Sequence, residues 1–209
     1  MASTTAIAGD VTLTCDIARV DDSIVFSYSL ANQGRMAVLL MDAFPVRDAG
    51  TGRLLAVPGV TTWLGADGQA HVLKGSAPMP ATADPEAPIL ALGGRLEPGK
   101  RIERRHAEPM PLAEHSPYAP PGKLREYRMV PIQGVALTVE VLPVLPGLVA
   151  EARDIARGWW RVADAEAAAG LVQRMTCGFR ARGLFMLARK DDYPRPVFPS
   201  PTEPDGSEV

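Results

Sequence analysis

A chain whose side chains change sides at every second position has little choice but to form strands, and this one does so from residue 11. In "VTLTCDIARV", Val11, Leu13, Cys15 and Ile17 point one way, and Thr12, Thr14 and Asp16 the other. Successive Cβ atoms leave opposite sides of the pleat, so a period of two marks a strand with one buried face. After a turn at residues 21–22, "SIVFSYSL" repeats the pattern through Ile24, Phe26, Tyr28 and Leu30. "ANQG" then breaks it with Asn and Gly, residues that tolerate positive φ. "MAVLLMDAF" follows as a continuous apolar run of strand length, the pattern of a strand covered on both faces.

Further along, "RLLAVPGVTTWLGADGQAHVLKG" reads as short strands around a turn at residues 66–68. "EPG" turns the chain between a strand ending near Leu96 and one starting near Arg101. "REYRMV" and "GVALTVEVLPV" are strands, the second alternating through Val135, Leu137, Val139 and Val141. In "GLVAEARDIARGWW" the apolar positions 148, 152, 155 and 159 fall at helical spacing and predict one short helix, which "AEAAAG" extends or ends as a turn. "LVQRMTCGF" and "LFMLAR", separated by "RARG", read as a closing hairpin. Prolines punctuate residues 76–88 as a loop, because each removes a backbone donor and fixes φ. Proline also makes residues 191–209 an extended tail. The expectation is therefore one mainly β domain over 1–190, an antiparallel sandwich with a proline-rich loop at 76–88, an elaboration over 147–190 and a tail.

Two features resemble a known family. Phe26, Tyr28, Leu30, Asn32 and Gly34 ahead of "MAVLLM" match the strand, Asn-x-Gly, apolar-strand order of immunoglobulin-like and fibronectin-type sandwiches. Leu96, Pro98 and Gly99 in "RLEPGKRI" look like the Leu-x-Pro-Gly turn such domains place before a strand. Bacterial intracellular proteinase inhibitors of immunoglobulin-like fold share this order. The resemblance implies a non-catalytic domain that binds a protein through loops at one end of the sandwich.

The chemistry-bearing residues point the same way. A formal net charge of −2 gives no field to recruit nucleic acid or an anionic membrane surface. The 18 Arg against 4 Lys are scattered along the chain, as coding bias would leave them. No apolar run approaches the roughly 20 residues that cross a bilayer, and the opening "MASTTAIAGD" lacks the basic and apolar regions of a leader. A cytoplasmic protein is expected, or a periplasmic one if a leader has been removed. Cys15 and Cys177 read as two buried thiols that could pair if the first and last strands are neighbours. His71, His106 and His115 lack the short spacings of strong metal sites. His106, Glu108, Glu114 and His115 converge only if the proline-rich turn folds back, which is the enzymatic alternative: a metal-dependent or hydrolytic site in the 106–115 loop. Ser116 beside His115 on extended backbone points to the opposite face. "GTGRLL" lacks the third glycine of a dinucleotide fingerprint.

"KRIERRH" over residues 100–106 reads as a charged edge strand, a device that discourages sheet-to-sheet association. Trp159 and Trp160, adjacent in sequence, cannot face the same core from a strand. The reading that results is a non-enzymatic module, without metal or cofactor, that recognises a protein or peptide through loops, edge strand or tail. Its candidate contacts are Trp63, Tyr118, Trp159 and Trp160, with Arg104 and Arg105 at the rim, since Trp, Tyr and Arg dominate interface energies when desolvated. A subunit that self-associates through the tail is the third alternative.

Overall fold

The computed structural model describes residues 2–77, 91–118, 126–155 and 157–190. The protein is mainly β, 65% strand and 3% helical. In chain order the strands begin with β1 (Ala2–Ala8), β2 (Val11–Val20), β3 (Ser23–Asn32) and β4 (Val38–Arg47). Next come β5 (Leu54–Pro58), β6 (Thr61–Leu64), β7 (Gln69–Lys74), β8 (Leu92–Leu96) and β9 (Arg101–Pro109). The remainder are β10 (Leu112–Ala113), β11 (Tyr127–Pro143), β12 (Val149–Glu151), β13 (Trp159–Val162) and β14 (Gln173–Arg189), with helix α1 (Ala165–Ala169) before the last.

The smaller sheet runs β1-β2-β3-β9, antiparallel throughout. The larger runs β10-β14-β11-β4-β8-β13-β12, with β5 on β4, and β7 and then β6 on β11. Its pairings are mixed, which corrects the antiparallel expectation: β7 lies parallel to β11, and β10 parallel to β14. Parallel neighbours need a long crossover, and residues 75–126, which visit the smaller sheet through β9, supply it between β7 and β11.

Both sheets feed one apolar cluster. Leu13, Cys15, Ile17, Phe26 and Leu30 from the smaller meet Val135, Leu137, Val139, Met175 and Cys177 from the larger. The alternating residues of β2 and β3 are those buried here, and "VLLM" in β4 is buried on both faces. Asn32 organises the crossing between sheets. Its side-chain amide donates to the carbonyls of Met36 at 2.8 Å and Leu96 at 3.1 Å, and its Oδ1 accepts the Gly34 N–H at 3.0 Å. The Gly99 N–H donates to the Asn32 carbonyl at 2.8 Å. Positive φ in this stretch belongs to Gly99, at 70°, and not to Asn32 or Gly34.

Two expected elements are corrected. The region from 173 to 189 is one strand, not a hairpin: β14 pairs with β11 along its length, and "RARG" is a bulge. Ile132 faces Leu184 while Gly134 faces Arg180, so β14 carries extra residues there, with Gly183 at φ 75° making the bend. The described residues of 148–159 hold no helix. Gly158 at φ 83° helps turn the chain between β12 and β13, and Leu148, Ala152 and Ile155 are buried around that hairpin. The helix sits later, over Ala165–Ala169, where Asp164 caps it by accepting the Ala167 N–H. Most of the expected 76–88 loop and the whole 191–209 tail lie outside the described residues.

Candidate functional site

One edge of β11 is shared by two strands. β7 pairs along Gly134–Val139 and β4 takes over at Val141–Pro143. At this fork β4 peels away around Asp42, where its register with β8 slips between Met41 and Ala43. Backbone groups that leave a ladder need other partners, and polar side chains provide them. The Lys74 ammonium donates to the Gly59 carbonyl at 3.1 Å, and the Gly59 N–H reaches the Asp42 carbonyl at 3.5 Å. From the facing sheet, Arg104 Nε donates to Asp42 Oδ2 at 3.2 Å. Asp42 is 8% exposed and Lys74 3%.

Two charges this deep are costly. Burial raises the Asp42 carboxyl above its ordinary 3.8, with Arg104 and Lys74 pulling the other way. Burial lowers the Lys74 ammonium below its ordinary 10.5, against the attraction of Asp42 and Glu108. Tyr28 is also raised, first by burial and then by the Asp42 charge. Asp42 Oδ1 is buried without a hydrogen-bond partner among the described residues. At the rim, His106 Nε2 lies 2.6 Å from Glu108 Oε1, and its ring stacks on Phe26. A charge set of this kind destabilises a fold relative to apolar packing. Its geometry shows what it holds: the Lys74 ammonium takes the Gly59 carbonyl at the foot of the β4–β5 hairpin, beside the backbone bond from the Gly59 N–H to the Asp42 carbonyl.

That hairpin, residues 43–58, carries two different faces. Leu54 and Ala56 pack inward with Ala43, Ile155 and Trp159. On the opposite face Val46, Leu55 and Val57 are 45%, 45% and 41% exposed, and Val46 stands directly across from Leu55. Each edge is interrupted by a proline. The Asp48 N–H bonds the Arg53 carbonyl and the Gly59 N–H reaches the Asp42 carbonyl, so positions 42, 44, 46 and 48 bond inward. Alternation then turns the backbone of positions 43, 45, 47, 54, 56 and 58 outward. Pro45 and Pro58 fall on those outward positions, one on each edge, and neither has an N–H to offer. The hairpin presents a face, not an edge.

The residues singled out in the sequence are placed as follows. Trp63 is 5% exposed and stacks on His71, with ring centroids 5.2 Å apart; His71 Nε2 in turn lies 3.1 Å from Asp67 Oδ1. Trp159 and Trp160 are half-buried and join different apolar clusters, and Arg95 lies over the Trp160 ring. Tyr118 is half-buried beside the Trp160 cluster. Arg104 crosses between sheets to Asp42, whereas Arg105 on the outer face of β9 is exposed. β9 is the edge strand that its charges suggested. Of the enzymatic set, His106 belongs to β9, while Glu114 and His115 lie against β6 and β14. Glu114 accepts the N–H groups of Leu64 and Arg189, and His115 exchanges backbone bonds with Thr62. Among the described residues, no group of three His, Cys, Asp or Glu side chains could hold a metal ion. Cys15 and Cys177 are buried free thiols, although β1 and β14 do meet: the Cys177 thiol lies 3.6 Å from the Thr4 carbonyl. No helix among the described residues is long and apolar enough to cross a membrane.

Sequence reading passed over Asp42, Lys74 and the hairpin face. The available signals were an ionisable residue inside the doubly buried run "VLLMDAF", and prolines on both arms of "FPVRDAGTGRLLAVP". Comparison with protein-family models, curated proteins and solved structures returns no match.

Proposed function

We propose that this chain is a non-enzymatic binding module of immunoglobulin-like sandwich type, and that it recognises a protein partner through the outer face of the β4–β5 hairpin. The observation that carries this reading is the exposed trio Val46, Leu55 and Val57 on a hairpin clamped at its foot and interrupted by a proline on each edge. Aliphatic side chains held out on a rigid support lose little conformational entropy when a partner covers them. Trp159 supports the hairpin from behind, so its contribution to binding is positional. The sandwich reading is supported by the core shared between two sheets. It is supported also by the direct bonds joining the Asn32 turn to Leu96 and Gly99, the two segments whose motifs resemble that family.

The test compares the wild-type chain with Val46→Asp and Leu55→Asp as baits in capture from the native source. Both substitutions fall on an exposed face, so the fold should survive them within about 0.5 kcal/mol. A partner retained by the wild type and lost by both variants supports the reading. A partner held equally by all three places the contact elsewhere.

A further inference from the structure

Among the described residues, several outer strand edges are charged, interrupted by proline or very short. β9 carries Arg101, Glu103 and Arg105 along its open edge, β5 ends in Pro58, and β10 and β12 are only two and three residues long. β1, "ASTTAIA", is seven residues long and has neither a charge nor a proline. Its outer edge has no partner strand among the described residues. An unprotected edge of this length is a template for another strand.

The turn fixes which backbone groups are available. Ala8 pairs with Val11 across the two-residue loop Gly9–Asp10, with Gly9 at φ 56° as a hairpin turn of this length favours. The closing pair of such a hairpin is hydrogen-bonded, so Ala8, Ala6 and Thr4 direct their backbone groups to β2. Ser3, Thr5 and Ile7 therefore direct theirs outward. These three positions are symmetric about Thr5. A second copy running antiparallel places Thr5 opposite Thr5 and Ser3 opposite Ile7 in both directions. Every outward donor then meets an acceptor, Thr packs on Thr in a favourable cross-strand pair, and no like charges meet. Ile7, at 70% the most exposed large apolar side chain among the described residues, is covered in the same arrangement.

We infer that the chain pairs with a second copy of itself through β1, about a two-fold axis at Thr5, making one continuous sheet across the dimer. The charge-free edge lets a second copy pair with Thr5 facing Thr5 and no like charges opposed. The inference is independent of the hairpin contact, which uses a different strand.

The test is sedimentation of the full chain over a dilution series, with Thr5→Pro and Thr5→Lys beside the wild type. Thr5→Pro removes only an outward N–H and leaves the β1–β2 ladder intact. Thr5→Lys keeps the backbone and sets two ammonium groups face to face across the axis. The wild type should dissociate from dimer to monomer on dilution. Each variant should weaken the dimer by roughly ten- to hundredfold, with an unchanged circular dichroism spectrum. If Thr5→Pro alters the spectrum, Thr5→Lys decides. A wild type that is monomeric at every concentration overturns the inference, and so does a dimer that Thr5→Lys leaves unweakened.

Discussion

Asp42 is a residue at which the fold accepts a local cost, and its protonation state can be used to measure that cost. Burial raises its carboxyl pKa, so the ionised form is disfavoured in the folded protein relative to the unfolded chain. The sign follows. Stability is greatest when the carboxyl is protonated and falls as pH rises from the ordinary 3.8 toward the raised folded value. Arg104 offsets part of this penalty through its 3.2 Å bond, although its side chain is 40% exposed and water screens the attraction. Arg104→Met should therefore destabilise the protein by about 1–2 kcal/mol at neutral pH, below the full cost of breaking a wholly buried pair. Asp42 then titrates at higher pH than before, so the deficit should shrink as the solution is acidified. Urea unfolding of the wild type, Arg104→Met, Asp42→Asn and the double variant at neutral and mildly acidic pH measures the coupling. A deficit independent of pH, or one that survives undiminished in the Asp42→Asn background, would mean that Arg104 acts by packing alone.

At the scale of elements, the strands with one consistent period were legible and the irregular joins were not. β2 and β3 read directly from their alternation, and β4 from its unbroken apolar run, because each presents a single pattern to its neighbours. "RARG" misled because a glycine at positive φ serves a bulge as well as a turn, and only the pairing of β14 with β11 distinguishes them. The spacing of 148, 152, 155 and 159 suggested a helix because Ala152, Ile155 and Trp159 fold onto one apolar cluster, and Leu148 onto another, without helical geometry. The two arms of the candidate hairpin were legible as strands, but their pairing and exposed face were not, since exposure depends on where β8 stops and Trp159 packs. The bulge itself can be tested through its two glycines. A Cβ at Gly183 meets no heavy atom within 4 Å, so Gly183→Ala should cost only the backbone strain of φ 75°, about 1–2 kcal/mol. A Cβ at Gly134 would run into the Phe179 carbonyl oxygen and the backbone of Arg180, so Gly134→Ala must displace the ladder. Equilibrium denaturation should rank Gly134→Ala clearly below Gly183→Ala, and the reverse order would place the strain elsewhere.

For the whole molecule, the question is whether two sheets that share one core also open together. The smaller sheet is held to the larger along both flanks: by Arg104 to Asp42 where β9 faces β4, and by apolar packing where β1 and β2 meet β14. Cys15 and Cys177 report on the second flank from opposite sides, at 0% and 2% exposed. Burial pushes the Cys15 thiol up to about 12, with the neighbouring Cys177 adding to the shift, and burial raises Cys177 as well. The thiolate is the reactive form, so neither sulfur should react with a thiol reagent until the core opens. If the shared cluster makes folding one cooperative event, both cysteines should be modified at the same rate. That rate should rise with urea along the slope of global unfolding. Peptide mapping after brief labelling separates the two sites. Cys15 and Cys177 sit on facing sheets, so detachment of the smaller sheet would expose both, but with a much shallower urea dependence than complete unfolding. A steep common slope is expected, because among the described residues Leu13, Ile17, Phe26 and Leu30 share their apolar cluster with the larger sheet. A shallow slope would show that the four-stranded sheet lifts away as a unit while the rest stays folded.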